Sequence, residues 1–422
     1  MPLPYPDKEH LTRALADYIM TDNGEAIAEL ADAVCLMDEA DNLGSIMKFG
    51  LSERTRNILA IRTEEYEQQT MTAESVSGLL PYMRIILALT EQYHALVMNP
   101  PYMGGGNMNV VLSNYVKKNY EAGKADLFSV FMQVAEERLA ENGKYGMINM
   151  QSWMFLSSFE KLRTHLLETL QIDNMLHLGP RTFDELSGEV VQNTAFVVTK
   201  HTPYTTGTYF RLVDGKNCGD KERMFLAGEN GYSHVSQQNF EKIPGCPIGY
   251  WVSTTFMEIL KSEDLGHLAH PRRTIQCGDV VRFIRLWTEV NKRDIETSTE
   301  INELKESSKH WFKFTNGGSF RKWYGNLDSV LCWSNNGEEI KSTGKAIIPN
   351  EDLYFKECIG YNRITSNGIT ARLYEQGILL GDATSMIVPS ESILLFMALL
   401  NVKVSAYAMK FFNPTLAAQT GS

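Results

Sequence analysis

The sequence predicts an α/β fold in two parts, a layered sheet followed by a second mixed α/β domain. Three observations carry this. Between residues 93 and 200 short apolar runs alternate with amphipathic stretches in the order strand, helix, strand, helix, strand, as when helices are laid against a sheet. The first run, ending Ala95-Leu96-Val97-Met98, drives straight into Asn99-Pro100-Pro101-Tyr102, so a short buried strand is expected to stop abruptly there. Near residue 204 the texture changes, and Gly, Asn, Ser and aromatic residues punctuate shorter elements from there on. The 422 residues suffice for two or three domains with proper cores.

Taken in order, residues 1–92 read as mostly helical and acidic. Leu79, Met83, Ile86 and Leu87 recur at helical spacing, with Pro81 tolerated in a first turn. This helix feeds a strand over Tyr93–Met98. Met103-Gly104-Gly105-Gly106-Asn107 lacks the Gly-Lys-Ser/Thr of a phosphate loop and reads either as a mobile flap or as a plain linker. Asp126 caps a helix with Leu127, Phe128, Phe131, Met132, Ala135 and Leu139 on one side. Lys144–Met150 is a strand, and Ser157-x-x-Glu160 has the form of a capping box before Phe159, Leu162, Leu166 and Leu170. Ile172–Leu178 and Val190–Thr199 are further strands. The expected domains are 1–92, 93–204 and 205–422.

Charge does not decide the partner. The net charge is −11, but residues 1–98 carry 16 acidic and 7 basic side chains, leaving the remainder nearly balanced. The richest apolar run, Ile393–Leu400, is too short to span a bilayer. Six scattered cysteines without a Cys-x-x-Cys pair suggest reduced thiols, no metal site and a cytoplasmic setting.

The chemistry centres on Asn99–Tyr102. Ligands of open α/β sheets bind just outside the carboxyl ends of strands. An exocyclic amino group on a nucleobase is a poor nucleophile because its lone pair is delocalised into the ring. Two acceptors aimed at its hydrogens draw the nitrogen towards tetrahedral geometry. The Asn99 side-chain carbonyl is one such acceptor, and the Pro100 backbone carbonyl is a candidate second. The prolines restrict the backbone so that both are held in place. Tyr102 offers a flat ring for an extruded base. A strand-ending turn capped by Asn uses the same residue types.

In the second half, residues 270–330 interleave eleven basic side chains with eight acidic ones and with Phe283, Trp287, Trp311, Phe312, Phe314, Phe320, Trp323 and Tyr324. That density suits phosphate contacts and base stacking. Arg282, Arg285, Trp287, Arg321, Lys322 and Trp323 are the candidate DNA-binding residues. A buried aromatic core under a solvated charged face is the structural alternative.

With these features the chain resembles the amino-methylating DNA methyltransferases, and in particular the large adenine-specific methyltransferases of BREX phage-defence systems. The similar stretches are Gln151–Leu156, Ser158–Arg163, His177–Phe183, Gly188–Phe196, Gly278–Trp287, Gly317–Gly325 and Asn413–Leu416. The resemblance implies a partial Rossmann-like sheet followed by a target-recognition domain. It implies that Asn99, Pro100, Pro101 and Tyr102 form the catalytic motif, and that Asp126 and Phe128 line the cofactor and base pocket. It also implies S-adenosylmethionine as methyl donor, and double-stranded DNA with a flipped adenine as substrate. Other defence-system subunits are further candidate partners, and no membrane is expected. Residues 1–98 contain no Gly-rich loop of the type Asp-x-x-x-Gly-x-Gly. The expectation is therefore an internal fragment, or a product starting late in a longer gene, truncated at its C-terminal end, with an incomplete cofactor site and no turnover expected on its own. Two other readings stay open: a DNA-binding or interaction module without chemistry, and an amino-methyltransferase acting on protein glutamine or RNA.

Overall fold

In a computed structural model, the described residues are 7–21, 23–68, 74–183, 191–201, 206–260, 266, 268–363 and 369–412. The chain divides into two compact units, one of Met1–Met154 with Ser158–Trp251 and the other of Phe155–Ser157 with Val252–Ser422.

The first unit opens with helices α1 (Lys8–Ile19), α2 (Gly24–Leu36), α3 (Ala40–Leu43), α4 (Glu53–Gln68) and α5 (Glu74–Thr90). Asp7 and Asn23 cap the first two, accepting from the amides of His10 and of Glu25 and Ala26. Their apolar stripes, with Leu15, Tyr18, Leu30, Val34, Leu59, Met83 and Ile86, merge into one core. Pro81 lies inside α5 and not in its first turn. The helix therefore begins earlier than expected and runs through the proline.

There follow β1 (Tyr93–Met98), α6 (Val110–Asn119), α7 (Leu127–Glu137), β2 (Leu139–Met150), α8 (Glu160–Thr169), β3 (Gln171–Gly179), β4 (Asn193–Thr199), β5 (Thr206–Arg211), α9 (Cys218–Leu226), β6 (Gly231–Ser236) and α10 (Gln238–Glu241). The strands form a six-stranded sheet in the order β1-β2-β4-β3-β5-β6. β1 runs parallel to β2 and β3 to β5, while β4 lies antiparallel between β2 and β3.

Three local expectations change. Leu139 opens β2 and does not extend α7. The capping box at Ser157 does not form at α8, whose N-cap is Phe159 with no side-chain cap bond. β4 begins at Asn193, and Gly188, Glu189 and Val190 lie outside the described residues, as do Asn413–Leu416.

The sheet also continues past residue 204, because β5 and β6 extend its far side. Residues after β6 close the same unit. The Gln237 amide donates to the carbonyls of Leu167 and Leu170, and Tyr250 stacks on Tyr209 at 4.8 Å. The compact unit therefore ends at Trp251.

The second unit contains α11 (Thr254–Leu260), β7 (Pro271–Arg272), α12 (Val280–Phe283), β8 (Ile284–Leu286), α13 (Ile301–Glu306), β9 (Trp311–Thr315), β10 (Ser329–Cys332), α14 (Ser334–Ser342), β11 (Cys358–Asn362), β12 (Arg372–Tyr374), β13 (Leu379–Leu380), β14 (Thr384–Ile387), α15 (Ile393–Asn401) and α16 (Lys403–Phe412). Its strands form two four-stranded sheets, β13-β9-β10-β8 and β12-β11-β14-β7. Phe283, Phe312, Phe314 and Trp333 are core residues. Among the described residues no helix is long and apolar enough to cross a membrane.

Candidate active site

β1 carries the motif at its carboxyl end but is not buried. It is the edge of the sheet, every one of its residues is half-buried or exposed, and Val97 is 89% exposed. An apolar run normally signals a strand covered on both faces. Here, among the described residues, no strand lies on its outer side.

Pro100 and Pro101 lack the amide hydrogens that would extend the ladder, so β1 ends at Met98. Asn99 is exposed, and its side chain makes no hydrogen bond among the described residues, so its carbonyl is free to accept one. Pro100 is buried, and its carbonyl accepts no hydrogen bond among the described residues. Both acceptors line a cavity of about 420 Å³ beside the strand end.

The ring of Tyr102 is clamped at both ends. It makes a T-shaped contact with the Phe128 ring, centroids 6.1 Å apart and planes at 86°. Its hydroxyl accepts a hydrogen bond of 2.9 Å from Asn193 Nδ2. Asn193, at the start of β4, is 1% exposed and also donates to the Asn149 carbonyl in β2. Asn149 in turn accepts from Trp153 Nε1 at 3.0 Å. Both amide hydrogens of Asn193 are thus committed, while its Oδ1 is buried without a partner among the described residues. An unmet buried acceptor costs about 1–3 kcal/mol, which the fold tolerates where a donor is held on Tyr102. Burial raises the phenol's pKa, and the Asn193 hydrogen bond opposes that shift.

The segment after Tyr102 is stapled and not a free flap. Asp126 Oδ1 accepts from the amides of Met103 at 2.9 Å and Phe128 at 3.3 Å, capping α7 and tying down the motif's exit together. The Leu127 amide donates to the Met103 carbonyl, and the Gly105 amide to that of Ala125. A Cβ at Gly105 would lie 2.8 Å from the Lys124 carbonyl, so only glycine allows this approach. Burial raises the Asp126 pKa despite these hydrogen bonds.

A second buried polar chain lies behind the strand ends. Gln151, next to β2, donates from Nε2 to Gln192 Oε1 at 2.6 Å and accepts at its own Oε1 from His177 Nε2 at 2.8 Å. The Tyr250 hydroxyl lies 3.1 Å from His177 Nδ1, which fixes a neutral imidazole with the hydrogen on Nε2. Burial, reinforced by Arg211 and Lys221, lowers the His177 pKa to about 3. The unfolded chain therefore binds a proton that the folded one refuses. This contribution to stability is present above the ordinary histidine pKa and is lost as pH falls towards the folded value. Unfolding free energy is expected to drop by about 2 kcal/mol between pH 7 and pH 5 from this residue. Urea melts of the wild type and of His177→Gln at the two pH values check this, since the variant should lose that increment.

The four motif residues thus sit together with Asp126 and Phe128. Phe128 is fully buried between Tyr102 and Phe159, so it shapes the ring's position and does not face an open pocket. Asn193 and Asn149 were not singled out from the sequence. Polar residues inside the otherwise apolar runs Met147–Met150 and Asn193–Thr199 were the available signal.

The candidate DNA-binding residues lie in the second unit. Arg282 pairs with Glu339 and covers the Phe283 ring. Arg285 donates to the carbonyls of Val281 and Ile284. Lys322 Nζ donates to the Asn401 carbonyl at 2.8 Å. Arg321 is exposed, and Trp287 and Trp323 are 41% and 49% exposed. Lys292 Nζ lies over the Trp287 ring, 5.0 Å from its centroid, so Arg321 and Trp323 present the freest side chains of the set.

S-adenosylmethionine carries a ribose diol and a zwitterionic amino-acid tail, which call for carboxylate and amide partners. The cavity beside the motif has no carboxylate on its lining and is walled largely by Leu89, Leu96, Met98, Phe131 and Val134. Its one cation, Arg138, donates to the carbonyls of Ser45 and Met47. The lining of this cavity therefore does not supply the carboxylate that the ribose diol of this cofactor calls for.

Residues 28–183 match the family described as the Eco57I restriction-modification methylase. The chain is homologous to the adenine-specific methyltransferase PglX of Lacticaseibacillus casei (strain Zhang), 36% identical over 96% of this chain and 36% of the relative. It is likewise 37% identical to the adenine-specific methyltransferase BrxX of Escherichia coli O9:H4 (strain HS), over 82% of this chain and 29% of the relative. The chain therefore spans about a third of the length of these relatives. Among solved structures, the Type IIL restriction-modification enzyme MmeI in complex with DNA aligns over 89% of this chain and 56% of its own, at a TM-score of 0.48 and 12% identity.

Proposed function

We propose that this homologue of the adenine-specific methyltransferases forms the base-binding and DNA-recognising portion of a DNA adenine N6-methyltransferase of a BREX or restriction-modification defence system. One observation carries the reading. At the carboxyl end of β1, Asn99 and the Pro100 carbonyl are acceptors free of partners among the described residues, beside a cavity and next to a tyrosine ring held by Phe128 and Asn193.

In this reading a flipped adenine stacks on Tyr102, and its N6 hydrogens bond Asn99 Oδ1 and the Pro100 carbonyl. The two bonds draw the N6 lone pair out of conjugation. The acceptors are already held, so reorganisation at the moment of reaction is small. S-adenosylmethionine, when bound, would supply an electrophilic methyl group. Its cradle is expected from polypeptide beyond the residues described here, and the unpaired outer side of β1 suits added strands. The second unit is proposed as the target-recognition domain, with duplex DNA as its partner.

On this reading the chain's cofactor site is incomplete, and the chain alone is expected to act as a DNA-binding module. Calorimetry should give no binding heat with micromolar S-adenosylmethionine. Duplex DNA should be retained with an affinity that falls steeply as salt rises. Micromolar cofactor binding would overturn the incomplete-site reading, and failure to bind duplex DNA at low salt would overturn the recognition assignment.

A further inference from the structure

The loop Gly317–Gly325 joins β9 to β10 and is pinned to the second unit along its length. The Gly317 amide donates to Thr384 Oγ1, and the Gly318 carbonyl accepts from Asn362 Nδ2, both at 2.9 Å. The Ser319 carbonyl accepts from Asn326 Nδ2 at 3.0 Å. The Trp323 amide donates to the Ala371 carbonyl, and the Trp323 carbonyl accepts from Leu373.

At the centre is Arg372, fully buried and without a carboxylate partner among the described residues. Its guanidinium donates to the Tyr374 hydroxyl at 2.8 Å, to Thr370 Oγ1, to Asn362 Oδ1 and to the Arg321 carbonyl at 3.1 Å. A buried cation spent on neutral acceptors, one of them a loop carbonyl, fixes a backbone that would otherwise be free to move.

That backbone turns its large side chains outward. Phe320, Trp323 and Tyr324 are 50%, 49% and 65% exposed, and Arg321 is exposed beside them. Trp323 is held at a φ of 74°, a conformation that a bulky residue adopts rarely and at a cost. Three exposed aromatic rings within five residues, on a rigid and strained backbone, form a preorganised binding surface. The loop carries two cations and no carboxylate, in a chain whose net charge is −11. Flat rings with a guanidinium and no acidic group match nucleobases flanked by phosphates.

We propose that Phe320, Trp323 and Tyr324 form a stacking platform for unpaired bases of the bound DNA, with Arg321 on the adjoining phosphate. The platform rests on the reading of the second unit as DNA-binding. It assigns this loop to bases, where a basic patch alone would imply only phosphate contacts. Lys322, tied to the end of α15, serves the loop's anchorage.

The test uses the whole chain with two fluorescein-labelled DNAs, a short duplex and the same duplex with a central mismatched bubble, each titrated at several salt concentrations. The wild type should prefer the bubble. Phe320→Ala with Tyr324→Ala, and separately Trp323→Gly, which accommodates the positive φ, should each lose about tenfold to a hundredfold in bubble affinity. The slope of log affinity against log salt should not change, because stacking releases no counterions. Arg321→Ala should instead reduce that slope by about one. Wild-type binding that these aromatic variants leave unaltered overturns the platform and leaves the DNA-binding reading intact. A wild type that binds neither DNA overturns both.

Discussion

Replacing Asn99 with alanine is expected to reduce methyl transfer to adenine by at least about a hundredfold, the scale for losing one preorganised polar contact at a reacting centre. On the proposed reading, the assay uses a polypeptide in which these residues are joined to a complete cofactor site. The reason for so large an effect is geometric. Asn99 is exposed and makes no side-chain hydrogen bond among the described residues, so its removal disturbs little of the fold. It does remove one of the two acceptors proposed to localise the N6 lone pair. The loss should appear in kcat while DNA affinity stays near that of the wild type, because the proposed DNA contacts lie in the second unit. Asn99→Asp, which keeps an acceptor, should be less damaged than Asn99→Ala. Radiolabelled methyl transfer with DNA binding measured in parallel separates the two parameters.

Phe128→Ala is expected to have the largest effect on stability. The ring is fully buried, with its centroid 5.5 Å from that of Phe159 and 6.1 Å from that of Tyr102. Truncating a core phenylalanine costs about 3–5 kcal/mol through lost transfer energy and the cavity left behind. For a unit of this size, that corresponds to a Tm lower by roughly 6–20 °C in scanning calorimetry. The same change removes the ring on which Tyr102 rests, so the motif loses order along with the core. Phe128→Leu, which leaves a smaller cavity, should recover much of the loss. A Tm unchanged in Phe128→Ala would show that α7 does not support the motif as described.

What was legible in the sequence was local. The strand end before Asn99, the cap at Asp126 and the helical character of residues 1–92 follow from propensity, proline chemistry and periodicity, which act within a few residues. What was not legible depends on tertiary position. Val97 is apolar yet 89% exposed, on a strand that forms the sheet's edge, and no run of residues states which strand is last. The change of texture near residue 204 marks outer strands of the same sheet, whose shorter runs and glycines look like a new domain. Asn193 meets the Tyr102 hydroxyl across 91 residues of chain, a pairing that only the juxtaposition of β2 and β4 creates. The charged residues of the second unit were legible as a class but not one by one. Whether an arginine faces solvent or serves a neighbouring carbonyl, as Arg285 and Arg372 do, is decided by packing.

The central claim is that Asn99–Tyr102 holds a DNA adenine by its amino group. It is tested most directly by mass spectrometry of nucleosides from DNA incubated with S-adenosylmethionine and a polypeptide in which these residues are joined to a complete cofactor site. The expected product is N6-methyladenine, present with the wild type and absent with Asn99→Ala. Methylation at another base, methyl transfer to protein glutamine in place of DNA, or N6-methyladenine formed undiminished by Asn99→Ala would contradict it.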